Sequence, residues 1–253
     1  MNFSEDLISI IMPAYCAEGT IGESIQSVLR QSYTNWELIV ANDCSPDNTP
    51  HIVESFCKRD ERVMLVNAEI NGGPAAARNL AISKARGRWV AFLDSDDFWL
   101  PEKLSQTIEF AKLNDSALTY TGYKRVNADC TVVGGYIPAP TSLNYFQLLG
   151  NTAINTSTVL IDRSRTGTFR MKITYYDDFA CWLEILKKGF IAYGLNEDLT
   201  RYRVLSGSVS RDKKKSALEV WKAYRNVESL GFLMSTKYFI SYAFHALLKY
   251  KNF

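Results

Sequence analysis

Four short, almost continuously apolar segments within residues 1–100, separated by stretches with helical patterning, constrain this chain more than any other feature. Residues 7–12, 36–41, 63–66 and 89–93 each read as a strand with little polar alternation. Strands of that kind are buried on both faces, which is the mark of a parallel sheet covered by helices on either side. Helical stretches lie between them at 21–29, 49–58 and 75–85, and a further one follows at 102–112. The punctuation agrees with this division. Thr20 with Glu23 spells a capping box, Pro74 suits a first helical position, Gly87 closes that helix, and Pro101 opens the next. The order β-α-β-α-β-α-β-α predicts an α/β fold, Rossmann-like, with a mostly parallel sheet and helices on both faces.

Beyond residue 115 the pattern loosens. Strands are expected at 118–126 and 131–136, as a meander, and again at 155–161, 190–193 and 199–202. A helix at 180–188 is stopped by Gly189, and a polar break at 211–215 precedes a helical tail. With 253 residues and 47% hydrophobic content, the chain can bury a sizeable core. Five cysteines without CxxC spacing suggest neither a zinc site nor a disulfide framework, and so a reducing compartment.

Ligands of such sheets bind beyond the carboxyl ends of the strands. The polar residues fall there: Tyr15 after the first strand, Asp43 after the second, the Asn71-Gly72-Gly73 turn after the third, and Asp94-Ser95-Asp96 after the fourth. Alternate residues of an extended segment point the same way, so Asp94 and Asp96 form a crowded carboxylate pair. Such a pair suits Mg²⁺ or Mn²⁺, which prefer oxygen ligands and complete their shells with substrate phosphates. As a bare three-residue pattern this would more often be a capped turn; its place at the end of an apolar strand makes it specific. Asp43 alone could be an Asx-turn residue, and Arg78 and Asn79 could simply decorate a helix. Asp177-Asp178 precedes an apolar helix, where the pair can cap the helix, supply a general base, or do both.

Other chemistries fit poorly. His51 and His245 are the only histidines and lack a triad context. No GxGxxG follows the first strand, and there is no Walker lysine motif. An acidic body without a recognised module argues against nucleic-acid binding.

Taken in order, the segments Ser9-Ile10-Ile11-Met12-Pro13-Ala14-Tyr15, Glu37–Ser45, Asn71-Gly72-Gly73 with Ala77-Arg78-Asn79, Phe92–Asp97, Asp177-Asp178 with Trp182-Leu183, and Tyr202-Arg203 resemble glycosyltransferase family 2. The resemblance spans residues 7 to about 210. It implies a GT-A fold and an inverting transfer from a UDP-sugar or similar donor. It places Pro13, Ala14 and Tyr15 at the base pocket and Asp43 at the base or ribose. It brings Asn71, Gly72, Arg78 and Ser95 near the donor, Asp94 to the ribose or outer shell, and Asp96 to the metal. Asp178 becomes the base. Residues 1–210 would then form the catalytic domain, with a nucleotide-sugar-binding half at 1–115 and an acceptor-binding half at 116–210. Four positions depart from the family pattern: Cys16 for Asn, Asn42 for Asp, Cys44 for Gly and Asp177 for Glu. None removes an essential charge, although Asp177 leaves open which acid is the base. The Gln-x-x-Arg-Trp motif of processive synthases is missing, which favours a single addition. A binding protein without turnover and a nucleotidyltransferase remain as other classes, although Pro13–Glu18 is not the latter's glycine-rich phosphate loop.

The tail, 211–253, carries nine Lys/Arg against three acids, leaving residues 1–210 at −4. Its basic and aromatic mixture suits either a membrane interface or a hairpin packed on the domain or on a second subunit. No stretch reaches transmembrane length and the N-terminus lacks a signal-peptide pattern, so the expectation is a cytoplasmic, peripheral protein. Bacterial relatives with such tails act on lipid-diphosphate-linked sugars in O-antigen or capsule assembly, which implies an acceptor of that type.

Overall fold

A computed structural model describes residues 4–151, 153–205 and 213–250. The chain runs β1 (Ser4–Ala14), α1 (Ile21–Leu29), β2 (Trp36–Asn42), α2 (Thr49–Cys57), β3 (Val63–Asn67), α3 (Gly73–Lys84), β4 (Gly87–Phe92), β5 (Phe98–Trp99) and α4 (Lys103–Leu113). The second part continues through β6 (Leu118–Asn127), β7 (Val133–Ile137), β8 (Ser142–Leu143), α5 (Tyr145–Leu149), a 3₁₀ turn (Thr156–Thr158), β9 (Leu160–Asp162), α6 (Arg163–Thr166), α7 (Asp177–Lys187) and β10 (Ala192–Val204). It ends in α8 (Lys213–Lys222), a π-helical turn (Ala223–Val227) and α9 (Phe232–Tyr250).

One sheet joins the two parts in the order β3-β2-β1-β4-β9-β6-β10-β5, with β7 on β6 and β8 on β10. The β3, β2, β1 and β4 strands are mutually parallel, with Ile11 beside both Ile39 and Phe92. Side-chain alternation explains why those strands read as continuously apolar. Ile8, Ile10 and Met12 of β1, with Leu38, Val40, Trp89 and Ala91, face α1, α2 and α4. Ile11, Ile39, Ala41, Val90 and Phe92 face the opposite core, with α3 and α7. Two layers of helix therefore clamp the sheet, and the parallel strands deliver their carboxyl ends to one rim.

The first hundred residues follow the sequence pattern with three exceptions: α3 ends at the Ala85 C-cap and Gly87 instead opens β4, the short strand β5 is additional, and the start of α1 differs. Thr20 makes no capping hydrogen bond there, and the Glu23 carboxylate instead pairs with Arg203 of β10. A buried guanidinium outcompetes a local cap. The expected strand at 155–161 is a 3₁₀ turn followed by β9. Asn155 Oδ1 accepts from Ser157 N at 3.0 Å and Thr158 Oγ1 donates to the Asn155 carbonyl at 2.7 Å, local bonds that displace a ladder. The two short strands expected at 190–193 and 199–202 are one, β10, with register shifts around Asp198. The meander is present as antiparallel β6 and β7. Of the polar break expected at 211–215, residues 213–215 already belong to α8, and 211–212 lie outside the described residues.

The tail packs on the domain. Val220, Tyr224 and Tyr238 are buried in the core that holds α7. Glu228, also buried, accepts from Tyr145 Oη at 2.6 Å and Lys187 Nζ at 3.0 Å. No helix among the described residues is long and apolar enough to cross a membrane.

Candidate active site

The rim is built from loops that hydrogen-bond one another. Successive backbone N–H groups of Cys16, Ala17 and Glu18, just past β1, donate to Ser45 Oγ (3.2 Å), to Thr49 Oγ1 at the start of α2 (2.8 Å) and to Asp47 Oδ2 (3.1 Å), Ser45 and Asp47 lying in the loop past β2. Pro13 and Ala14 pair with Ala41 and Asn42, and the Tyr15 ring beyond them is about half exposed (53%). The Asx turn of this loop is made by Asp47, whose Oδ1 accepts from Thr49 N at 3.1 Å, while Asn42 Oδ1 accepts from Ser45 N at 3.1 Å. Asp43 does something else. Its two carboxylate oxygens accept from the backbone N–H groups of Gly72 (2.8 Å) and Gly73 (2.7 Å), while Asn71 Nδ2 donates to its carbonyl at 3.1 Å.

Asp43 therefore caps α3 from a neighbouring loop, placing negative charge where the helix N-terminus favours it. The glycines permit the approach. Gly73 has φ +79°, a conformation side chains rarely adopt, and a Cβ on Gly72 would come within 2.7 Å of the Ala76 Cβ.

Helix α3 then carries Arg78 and Asn79 into the centre of the site. Arg78 is buried, with Nη1 2.6 Å from Asp177 Oδ2 and Nη2 2.6 Å from Asp94 Oδ1. Asn79 exchanges two hydrogen bonds of 2.8 Å with the backbone of Met171, in the segment that leads to α7. One helical turn thus ties the Asp94 loop of the first part to the acid pair of the second.

The 3₁₀ turn makes a second tie. Thr156 Oγ1 donates to Asp178 Oδ2 at 2.6 Å. Next to it, Ser157 Oγ accepts from Asp94 N at 3.1 Å and donates to Asp97 Oδ2 at 2.6 Å. From below, Arg203 donates its backbone N–H to Asp97 Oδ1 at 2.9 Å and its Nε to the Asp96 carbonyl at 2.7 Å. The Ser95 carbonyl accepts from Ser24 Oγ at 2.9 Å. The acidic loop is held from three sides.

Thr156, Ser157, Ser24 and Glu23 were not among the candidates read from sequence. For Thr156 and Ser157 the signal was Asn155 ahead of Thr-Ser-Thr, a run suited to local side-chain-to-backbone bonding rather than to a strand.

Asp177 and Asp178 occupy the first turn of α7, after Tyr176 as N-cap, and Tyr176 makes no side-chain cap bond. Their environments differ. Asp177 is buried and paired with Arg78; burial raises its pKa to about 6 against the opposing pull of that guanidinium. Asp178 is half-buried, and its oxygens accept from the Thr156 hydroxyl and from Phe179 N at 2.6 Å. Arg78 loses by burial, yet Asp94 and Asp177 more than offset this and hold its pKa above the usual arginine range.

Crowding of carboxylates marks the other side of the site. Burial, and then the neighbouring Asp94, push Asp96 up to about 6. Asp97, fully buried, is raised well above the ordinary carboxylate range by burial and then by Asp96. A divalent cation would relieve that crowding, so the donor set fits a hard metal held by Asp96 and Asp94. Among the described residues no group of three or more His, Cys, Asp or Glu side chains converges as a ready-made metal site.

A parallel sheet with an Asp-x-Asp loop at its switch point, facing an acid pair on a helix of the second part, is the architecture of a GT-A glycosyltransferase. The sequence pattern of glycosyl transferase family 2 matches residues 9–173, and the chain belongs to that family. It is 45% identical, over 96% of its length and 97% of the relative's, to the putative teichuronic acid biosynthesis glycosyltransferase TuaG of Bacillus subtilis. It is 40% identical, over 85% of its length and 84% of the relative's, to WfgD of Escherichia coli, a UDP-Glc:alpha-D-GlcNAc-diphosphoundecaprenol beta-1,3-glucosyltransferase. Among solved structures, the mannosyltransferase PcManGT of Pyrobaculum calidifontis, in complex with GDP-Man and Mn²⁺, shares the fold. Its TM-score is 0.70 at 16% identity, over 96% of this chain and 70% of that one.

Proposed function

We propose that this glycosyltransferase is an inverting enzyme that moves a hexose from a UDP-sugar to a lipid-diphosphate-linked sugar in bacterial surface polysaccharide assembly. The observation that carries the chemistry is the unequal pair on α7. Asp177 is committed to Arg78, whereas Asp178 is half-buried and oriented by the Thr156 hydroxyl and a helix N–H. A base must be ionised and well placed, and Asp178 meets the second requirement without breaking an ion pair. WfgD, which uses a UDP-sugar and a diphosphoundecaprenol-linked acceptor, supports the substrate classes.

In this reading residues 1–115 bind the nucleotide sugar. Pro13, Ala14 and Tyr15 line the base pocket, Asp43 and Asn71 with Gly72 meet the base or ribose, and Asp94 with Ser95 lies along the ribose and diphosphate. Arg78 serves the donor by fixing Asp94. Residues 116–210 hold the acceptor, and Asp178 takes the proton from its attacking hydroxyl in a single in-line displacement. A Mg²⁺ or Mn²⁺ ion held by Asp96, with Asp94, would supply charge neutralisation to the departing UDP. Asp97 and Ser157 keep that loop in place, and Arg78 keeps Asp177 from competing for the proton. The enzyme works at the cytoplasmic face of the membrane, where an acceptor of this class is anchored.

The test is release of UDP from a panel of nucleotide sugars with Mn²⁺, Mg²⁺ or EDTA, repeated with a lipid-diphosphate-linked sugar analogue. Metal-dependent release from one donor, stimulated by the analogue, is expected. Failure of every donor to bind by calorimetry would overturn the reading.

A further inference from the structure

The last helix, α9, is apolar on two opposite faces, and among the described residues only one of them has a partner. Ser235, Tyr238, Phe239 and Tyr242 face the domain; Tyr238 is buried in the core, with Phe239 and Tyr242 packed against it. Close packing extends along the helix, since a Cβ on Gly150 would come within 2.6 Å of Ser241 Oγ. On the opposite face, at spacings of 4, 3 and 4 residues, stand Leu233, Lys237, Ile240 and Phe244. Those steps return to one side of a helix of 3.6 residues per turn. Leu233 is 83% exposed, Ile240 65% and Phe244 60%. A helix whose solvent side is its second apolar side needs another medium to cover it.

We infer that this outer stripe of α9 lies in the headgroup region of an anionic bilayer, holding the enzyme flat on the membrane. This rests on the proposed lipid-linked acceptor only for its purpose, not for its physics. Two observations select the occupant. The first is charge: the tail carries nine Lys/Arg against three acids. Of those acids, Glu219 is paired with Lys222, and Glu228 is buried against Tyr145 and Lys187. The outer side thus combines apolar side chains with lysine, a composition suited to acyl chains below and lipid phosphates around. A second copy would instead bring one cationic tail against another, which is repulsive. The second observation is length: 19 residues give about 28 Å of helix with an apolar outer stripe, and since it is not long and apolar enough to cross a membrane, any contact it makes with a bilayer is along the surface.

The test is co-sedimentation of the full chain with vesicles of phosphatidylcholine alone and with about one-third phosphatidylglycerol. Binding to the anionic vesicles, weakened at high salt, is expected. Ile240→Asp combined with Phe244→Asp should lower it at least about tenfold, and Lys237→Glu by about three- to tenfold. Both variants change only the outer face, so melting temperature and donor hydrolysis in detergent-free buffer should match the wild type. Those two readouts separate this proposal from the glycosyltransferase reading, which stands or falls on donor turnover. Wild-type protein that ignores anionic vesicles, or a double variant that binds them equally well, overturns the inference. So does a homodimer that the double variant splits, because a second copy would then be what covers the stripe.

Discussion

The two parts of the sheet solve the same problem, presenting acids at a rim, by different means. In residues 4–115 the acids sit just past the ends of parallel strands, and their positions follow from strand geometry: Asp43 after β2, Asp94 and Asp96 after β4. In residues 116–205 the acids sit in the first turn of α7, which no strand end positions. They are placed by contacts from elsewhere: Arg78 and Asn79 of α3 and Thr156 of the 3₁₀ turn. In the first part strand ends set the acids, and Ser157 and Arg203 of the second part brace their loop; in the second, the acids take their geometry from Arg78 and Asn79 of the first and from Thr156 of its own 3₁₀ turn. Under the proposed mechanism, a base positioned partly from the other half makes physical sense, because displacement of a base by about 1 Å can cost two orders of magnitude in rate.

That division predicts different failures for the two acids. Asp178→Asn should lower kcat by about 10²- to 10⁴-fold while donor affinity by calorimetry stays within about twofold. Asp96→Ala should act earlier, abolishing metal-dependent donor binding itself. If Asp178→Asn weakened donor binding, or Asp177→Asn alone reproduced its rate loss with the fold intact, the assignment of separate duties would break.

Arg78 is the joint between the parts, and its removal should cost more stability than any single contact in either. Arg78→Met leaves Asp94 and the buried Asp177 without their counter-charge, an expected loss of about 3–5 kcal/mol in urea unfolding. The double variant Arg78→Met, Asp177→Asn should recover part of it, since one stranded carboxylate is gone. Unchanged stability in the single variant would mean that the halves are not joined here.

The contrast also explains what was legible in the sequence. Strand ends are local: an apolar run that stops at Asn42-Asp43 or Asp94-Ser95-Asp96 announces a rim, and Gly72-Gly73 announces a close backbone approach. Partners distant in sequence are not. Glu23 looked like half of a capping box because nothing nearby reveals Arg203, 180 residues on. Ser157 looked like a strand residue because its bonds to Asp94 and Asp97 cross about 60 positions. Thr156, which orients Asp178, was hidden for the same reason. Residues 116–205 are less legible in the sequence because their order depends on such long-range bonds.

Asn79 gives a gentler probe of the same joint. Asn79→Ala removes both hydrogen bonds to Met171 and should destabilise by about 1–3 kcal/mol. The more telling readout is kinetic: kcat should fall while the donor KM holds, because Met171 leads to α7 and not to the nucleotide rim. Equal changes in both would place Asn79 in the scaffold alone.

The smallest expected effect is a gain, and it lies in the first part. Lys103, in the first turn of α4, is fully buried, its ammonium 4.3 Å from the Trp99 ring centroid and without a hydrogen-bond partner among the described residues. Burial lowers its pKa to about 7, below the roughly 10.4 of an exposed lysine. Between those values the unfolded chain binds a proton that the folded chain does not, so folding stability rises with pH across that window. The penalty is fully present below pH about 7 and fades as pH rises toward 10. Lys103→Met keeps the length and removes the charge, and should stabilise the fold by about 1–3 kcal/mol at pH 6. Its advantage over the wild type should shrink between pH 7 and 10, measured by urea unfolding across that range. A variant less stable than the wild type at pH 6 would mean that the Trp99 face repays the amine in full, and that the first part of the sheet, too, depends on a contact its sequence pattern does not announce.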